Sequence, residues 1–147
     1  MKKLLALLFI VAGLFLYASN LYAVDKDAAL GKWYASKEKD AAQITIYNCG
    51  DKYCGKISWT KDPESLDDEN PDAEKKKRKL LGMDMVFDFV FDPDDDRWED
   101  GFIYNPNDGK TYDCRMWLEE NDVLQVKGTV GPKWLSIGKT TTWYRVK

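Results

Sequence analysis

The sequence predicts an all-β protein, a small antiparallel up-and-down barrel with one short surface helix. Three observations carry that expectation. Trp98–Tyr104 and Lys110–Tyr112 are aromatic, β-favouring segments flanking Asn105-Pro106-Asn107-Asp108-Gly109. Proline presets φ at an early turn position, glycine accepts a positive φ, and Asn and Asp bond their own backbone, so this block reads as a hairpin. From Leu81 to Phe91 the residues alternate strictly. Leu81, Met83, Met85, Phe87, Phe89 and Phe91 share one face and Gly82, Asp84, Val86, Asp88 and Val90 the other, as a sheet packed on one side requires. Finally, about eight short strand-like segments follow one another in hairpin order across residues 24–147, and closing them into a barrel removes the exposed edges.

Taken in order, the chain opens with Lys2, Lys3 and an apolar run from Leu4 to Tyr17, then Leu21-Tyr22-Ala23. A charged start, an apolar centre and a small-residue exit are the parts of a secretory signal peptide. Ser19-Asn20 interrupts the run short of the ~20 residues a spanning helix needs. Cleavage is expected after Ala23, Ala18 ending a similar triplet, which leaves residues 24–147 as a single domain. Val24–Ala29 reads as a leader or one helical turn, and Gly31–Tyr34 as the first strand. Ala42–Tyr47 and Gly55–Thr60 form a hairpin, with Ile44 and Ile46 on one face of its first strand.

Residues 61–79 break the β pattern. Asn70 suits an N-cap and Pro71 a first helical position, with acids in the first turn and bases in the last, which predicts a short helix over about Pro71–Lys79. The basic run Lys75–Lys79 could touch an anionic membrane surface or an acidic envelope protein; a solvated helix end beside an acidic loop is the simpler reading. Asp92-Pro93-Asp94-Asp95-Asp96 is a hairpin turn. Its Asp spacing resembles a calcium loop, but Arg97 and Ile103 occupy the positions where that loop needs glycine and a bidentate Glu. Further strands follow over Lys110–Glu119, Val123–Val130 and Lys139–Lys147, with a short Lys133-Trp134-Leu135 piece between the last two.

Composition excludes several functions. The chain has 22 basic and 25 acidic side chains, and two of the lysines belong to the leader. A net-acidic protein is poorly suited to hold a phosphate backbone, so no nucleic-acid partner is expected. There is no histidine, which removes Ser-His-Asp and Cys-His systems and imidazole metal sites. Neither a metal nor a cofactor is implied. In an oxidising compartment Cys49 and Cys54, bracketing a hairpin loop, are expected to form a disulfide rather than remain two thiols. Cys114 shares a strand face with Tyr112, Met116 and Leu118, as a buried, inert thiol would.

Several stretches together resemble a bacterial envelope family known as domain of unknown function 2147. They are Gly31-x-Trp33, Cys49, Cys54-Gly55, Asn70-Pro71-Asp72, Leu81-Gly82, the block from Trp98 to Tyr112, Gly128, and Gly138-Lys139-Thr140-x-x-Trp143-x-Arg145. Asp100, Glu74-Lys75 and Thr141 depart from the family pattern. The resemblance implies an exported, lipocalin-like or calycin-like barrel with an internal cavity and no established activity. It also implies that Arg145 covers Trp33 at a closed barrel end, a structural cation–π contact, with Trp143 packed on the same strand face.

The function expected is non-catalytic binding of a small apolar molecule inside the barrel. The candidate lining, from strand parity, is Trp59, Met83, Met85, Phe87, Phe89, Tyr104, Tyr112 and Met116. In the alternative, these residues fill the core. Outer aromatics such as Trp117 and Trp134 and the 61–79 segment would then serve an envelope interaction or stress-adaptor module. An enzyme would need a carboxylate pair such as Asp84 and Asp88 in a cleft, and parity places both opposite the oily face.

Overall fold

The computed structural model describes residues 23–38 and 40–147. The signal peptide expected over residues 1–23 lies outside them, Ala23 excepted. Eight strands run in sequence order: β1 (Gly31–Tyr34), β2 (Gln43–Cys49), β3 (Lys52–Trp59), β4 (Asp84–Asp92), β5 (Arg97–Asn105), β6 (Lys110–Glu120), β7 (Val123–Val130) and β8 (Ile137–Arg145). Each pairs antiparallel with the next, and β1 returns to β8 through Trp33↔Arg145 and Tyr34↔Tyr144, closing the barrel. The expected all-β, up-and-down barrel is the fold.

The topology gives the barrel two different ends. The β2–β3, β4–β5 and β6–β7 turns gather at one end, together with the N-terminal segment. That segment makes a single turn, with Ala28 N–H donating to Asp25 O and Leu30 N–H to Asp27 O. It lies across the barrel bottom, where the indoles of Trp33 and Trp98 donate to Ala29 O (2.8 Å) and Lys26 O (3.1 Å). The expected Cys49–Cys54 disulfide closes the β2–β3 hairpin at this end. The remaining connections, 35–42, 60–83, 106–109 and 131–136, surround the opposite end.

Two expectations fail for physical reasons. The helix over Pro71–Lys79 reduces to a 3-10 turn at Lys75–Lys77. Its lysines are consecutive like charges with no apolar face to bury, and helices this short are marginal without packing. Asn70 caps no helix; its side chain is drawn into a buried cluster while its Oδ1 accepts only from Asp72 N–H. The second failure is parity. β4 begins at Asp84, not Leu81, and its register against β3 shifts twice. Asp88 takes φ 66° at the second shift. Val86 and Phe89 are both fully buried although three residues apart, while Phe87 turns outward and stacks on Phe102 at 5.7 Å.

β5 repeats the device. Its register against β6 shifts between Trp98 and Gly101, with Asp100 at φ 57°. Aspartate tolerates the left-handed region better than most residues, which suits a position where the resembled family tends to have glycine. A bulge adds a residue and bends the strand, so Trp98, Gly101 and Ile103 face in while Tyr104 faces the 60–83 connection. Gly101 is fixed by contact: a Cβ there would lie inside the Phe89 ring. Gly101→Ala should therefore cost about 1–3 kcal/mol through overpacking, read as a lower urea midpoint at unchanged slope. A neutral result would show that Phe89 can move aside.

Candidate functional site

The core is graded along the barrel axis. Trp33, Trp98, Phe89, Met116 and Leu124 are completely buried and fill the closed half. Toward the open end the inward residues shrink to Val126, Gly128, Thr141, Ile103 and Ala35. A cavity of about 470 Å³ lies among them. Its wall is Ala35 after β1, Met85 on β4, Ile103 on β5, Tyr112 on β6, Val126, Gly128 and Val130 on β7, and Thr141 and Trp143 on β8. Trp143, almost wholly buried, belongs to both the core and this wall.

Polar groups gather at the mouth. Tyr112 O–H donates to Asp108 Oδ2 at 2.6 Å. That bond holds the phenol above its ordinary range and the Asp108 carboxyl below its own. Asn105 and Asn107 belong to the same turn, and Thr141 O–H donates to Val126 O at 3.3 Å. Lys139 reaches the rim without an ion-pair partner among the described residues. An apolar chamber with a few polar groups at its opening suits a small molecule with an apolar body.

The parity-derived candidates scatter. Met85, Tyr104 and Tyr112 border the cavity. Phe89 and Met116 are core residues of the closed half, and Trp59 is 39% exposed at the end of β3. Met83 and Phe87 line a separate outer cleft under the 60–83 connection. Alternation missed Ile103, Val126, Gly128, Lys139 and Thr141. Small residues alternating on β7 and β8 were the available signal, because a wall must be small where space is left. Asp84 and Asp88 stand outside the barrel, the first accepting from Tyr47 O–H (2.8 Å) and the second 3.9 Å from Lys52 Nζ.

Sequence reasoning also missed a buried carboxylate. Asp67, read as part of a solvated loop, is completely buried. Its Oδ1 accepts from Tyr104 O–H at 2.6 Å. Its Oδ2 accepts from Asn70 Nδ2 (2.7 Å) and from Arg78 Nε and Nη2 (both 2.8 Å). Burial pushes this carboxyl up, and the bonds from Tyr104, Asn70 and Arg78 outweigh it and bring it below the ordinary value. The cluster ties the 60–83 connection to β5. Gly109 completes the contact, since a Cβ there would strike the Glu69 carbonyl.

At the closed end Arg145 lies 4.1 Å above the Trp33 ring centroid, as the resemblance implied. Cys114 is buried, and burial raises its thiol to about 12, which leaves it protonated and unreactive.

A family model described as an uncharacterized protein conserved in bacteria (DUF2147) matches residues 31–145, from the first residue of β1 to the last of β8. The chain belongs to the DUF2147 family. A similar barrel is found in the solved structure of protein HP1028 from the human pathogen Helicobacter pylori, described as belonging to the lipocalin family. The two superpose with a TM-score of 0.70 at 23% identity, over 80% of this chain and 82% of that one. At that identity the likeness establishes the lipocalin-like fold. A search of curated proteins finds no match. A bacterial DUF2147 chain with a disulfide is compatible with export to an oxidising compartment.

Proposed function

We propose that this protein is an exported, non-catalytic carrier that holds a small apolar molecule in the open half of its barrel. The observation that carries the reading is the 470 Å³ cavity. Protein interiors are otherwise close-packed, and a space of this size deprives its walls of contacts. It falls within the ~300–1,000 Å³ range of small-molecule sites. A non-catalytic role is supported by the absence of histidine and by the engagement of the buried carboxylate with three partners. Export is supported by the signal-peptide pattern and by the position of Val24. Its backbone nitrogen lies 3.1 Å from Asp96 Oδ1, so cleavage after Ala23 would place the new ammonium group on a carboxylate.

The alternative, an envelope interaction or stress-adaptor module using residues 61–79, has less support. Asp67–Arg78, Glu64–Lys79 and Asp72–Lys75 pair within that segment, which leaves fewer charges to recruit a partner.

Native mass spectrometry of protein taken from its own envelope without delipidation should show an apolar adduct. The purified protein should also bind an apolar fluorophore such as N-phenylnaphthylamine, with quenching of Trp143. Gly128→Leu places a side chain against Ile103 and Tyr112 and should weaken the fluorophore tenfold or more while the melting temperature holds. A clean apo mass together with unchanged binding by the variant would reject the carrier reading.

A further inference from the structure

The cavity-facing side of β8 changes chemistry along its length. Every second residue of a strand points the same way, and here the series is Trp143, Thr141 and Lys139. Trp143 is buried at the cavity floor, Thr141 stands in the wall, and Lys139 reaches the rim, where it stays exposed to water. Their cross-strand partners on β7 are Leu124, Val126 and Gly128 in turn. The lysine is therefore the member of the series whose partner has no side chain, and nothing on β7 stands between its stem and the cavity.

Lys139 is also the only charged residue lining the cavity, and it has no ion-pair partner among the described residues. The carboxylates of the neighbouring connections are engaged or turned elsewhere. Asp108 accepts from Tyr112 O–H (2.6 Å) and Lys110 N–H (3.0 Å) and lies in the field of the Lys110 ammonium. Asp40 pairs with Lys61 at 2.6 Å, and Glu38 borders an outer hollow with Tyr34 and Tyr144. One ammonium at the mouth of an otherwise uncharged chamber gives that chamber a sign.

We infer that the cavity takes an amphiphile with a single acid group, its apolar chain resting on Trp143 and its carboxylate at the rim against Lys139. The inference rests on the carrier reading and adds the class of ligand to it. Length agrees with such an occupant. Lys139 and Trp143 are four residues apart, about 13 Å along the strand and about 10 Å along the axis of a barrel with ordinary strand tilt. An extended alkyl chain advances about 1.25 Å per carbon, so about eight to ten carbons reach from floor to rim. The lysine attracts an acid and repels an amine. Because it is exposed, each effect has the size of a surface ion pair and weakens with salt.

Displacement of N-phenylnaphthylamine from the delipidated protein tests this, with decanoate and decylamine as competitors at pH 7 and low ionic strength. Decanoate should displace the fluorophore at a concentration about tenfold lower than decylamine, attraction and repulsion each supplying a few-fold. Lys139→Gln should bring the ratio of the two to about one, and Lys139→Glu should invert it. Lys56→Gln removes the same charge from the outer face of β3, over the Tyr47 ring, and should leave the ratio as it was. Longer acids should gain about fourfold per methylene and level off near ten carbons. A ratio near one in the unsubstituted protein, or one that Lys139→Gln leaves unchanged, would overturn the inference while the carrier reading survives. Failure of the fluorophore to bind, together with no heat of decanoate binding by calorimetry, would overturn both.

Discussion

Asp67→Ala is expected to destabilise the protein by about 2–4 kcal/mol, chiefly the cost of leaving two buried donors without their acceptor, because the ion pair to half-exposed Arg78 is screened by solvent. Against the ~5–15 kcal/mol that holds a typical domain together, such a loss is a large fraction of the whole. The deletion leaves the buried Tyr104 hydroxyl and Asn70 amide without their acceptor, while the half-exposed Arg78 guanidinium turns to water. Each buried donor without an acceptor costs about 1–3 kcal/mol by itself. The 60–83 connection should loosen first, because its attachment to β5 runs through this carboxylate. Amide exchange should quicken there before it does in the β6–β7 hairpin. Urea unfolding of the single and double substitutions at Asp67 and Arg78 would measure the coupling. Additive losses would show that the two side chains do not act together.

The same group fixes the direction of the acid response. Burial works against the Asp67 anion, but bonds from Tyr104, Asn70 and Arg78 bring the folded carboxyl below its ordinary 3.8. A depressed folded value means the anion stabilises the fold fully above the unfolded value. That contribution is lost as pH falls through the folded one. The unsubstituted protein should therefore weaken steeply below about pH 4, and Asp67→Asn should flatten that slope while lowering stability at neutral pH. Tyr104 adds no loss near neutrality, since burial and its bond to Asp67 raise its own ionisation.

How much of this was legible in the sequence depends on the range over which the signal acts. The Asn105–Gly109 turn and the Cys49–Cys54 closure are local, and they appear where turn chemistry and spacing put them. Alternation identified the strands because its period is a property of the backbone. It failed to assign faces wherever one extra residue entered a strand, as at Asp88 and Asp100. A single bulge inverts the parity of everything beyond it, so Phe87 leaves the interior while Val86 and Ile103 enter it. The cavity was illegible for a related reason: it is made by what Gly128 and Thr141 lack, and absent volume leaves no periodic mark. Asp67 looked like one more acid in a charged loop. Only the fold brings Tyr104, 37 residues later, to its carboxylate.

At the opposite end of the barrel, Arg145→Ala should cost about 2–4 kcal/mol, from one lost cation–π contact and several lost charged hydrogen bonds. The guanidinium does three tasks at once. It lies over the Trp33 ring, and it donates to Leu30 O (3.1 Å) and Ala28 O (2.7 Å), holding the N-terminal turn across the barrel bottom. It also donates to Asn121 O from Nε (3.2 Å) and Nη2 (3.0 Å), tying in the β6–β7 turn, with Asp122 as its counter-ion. A lysine keeps the charge but has neither the planar face for the indole nor the fork that reaches separate carbonyls. Arg145→Lys should accordingly recover less than half of the loss. Urea midpoints at unchanged slope would measure both substitutions, and acrylamide should begin to quench Trp33 once its cover is gone. Full recovery by lysine would reduce the role of Arg145 to its charge. Loss of fluorophore binding in Arg145→Ala, with the fold intact, would extend its influence through Trp33 to the cavity at the far end.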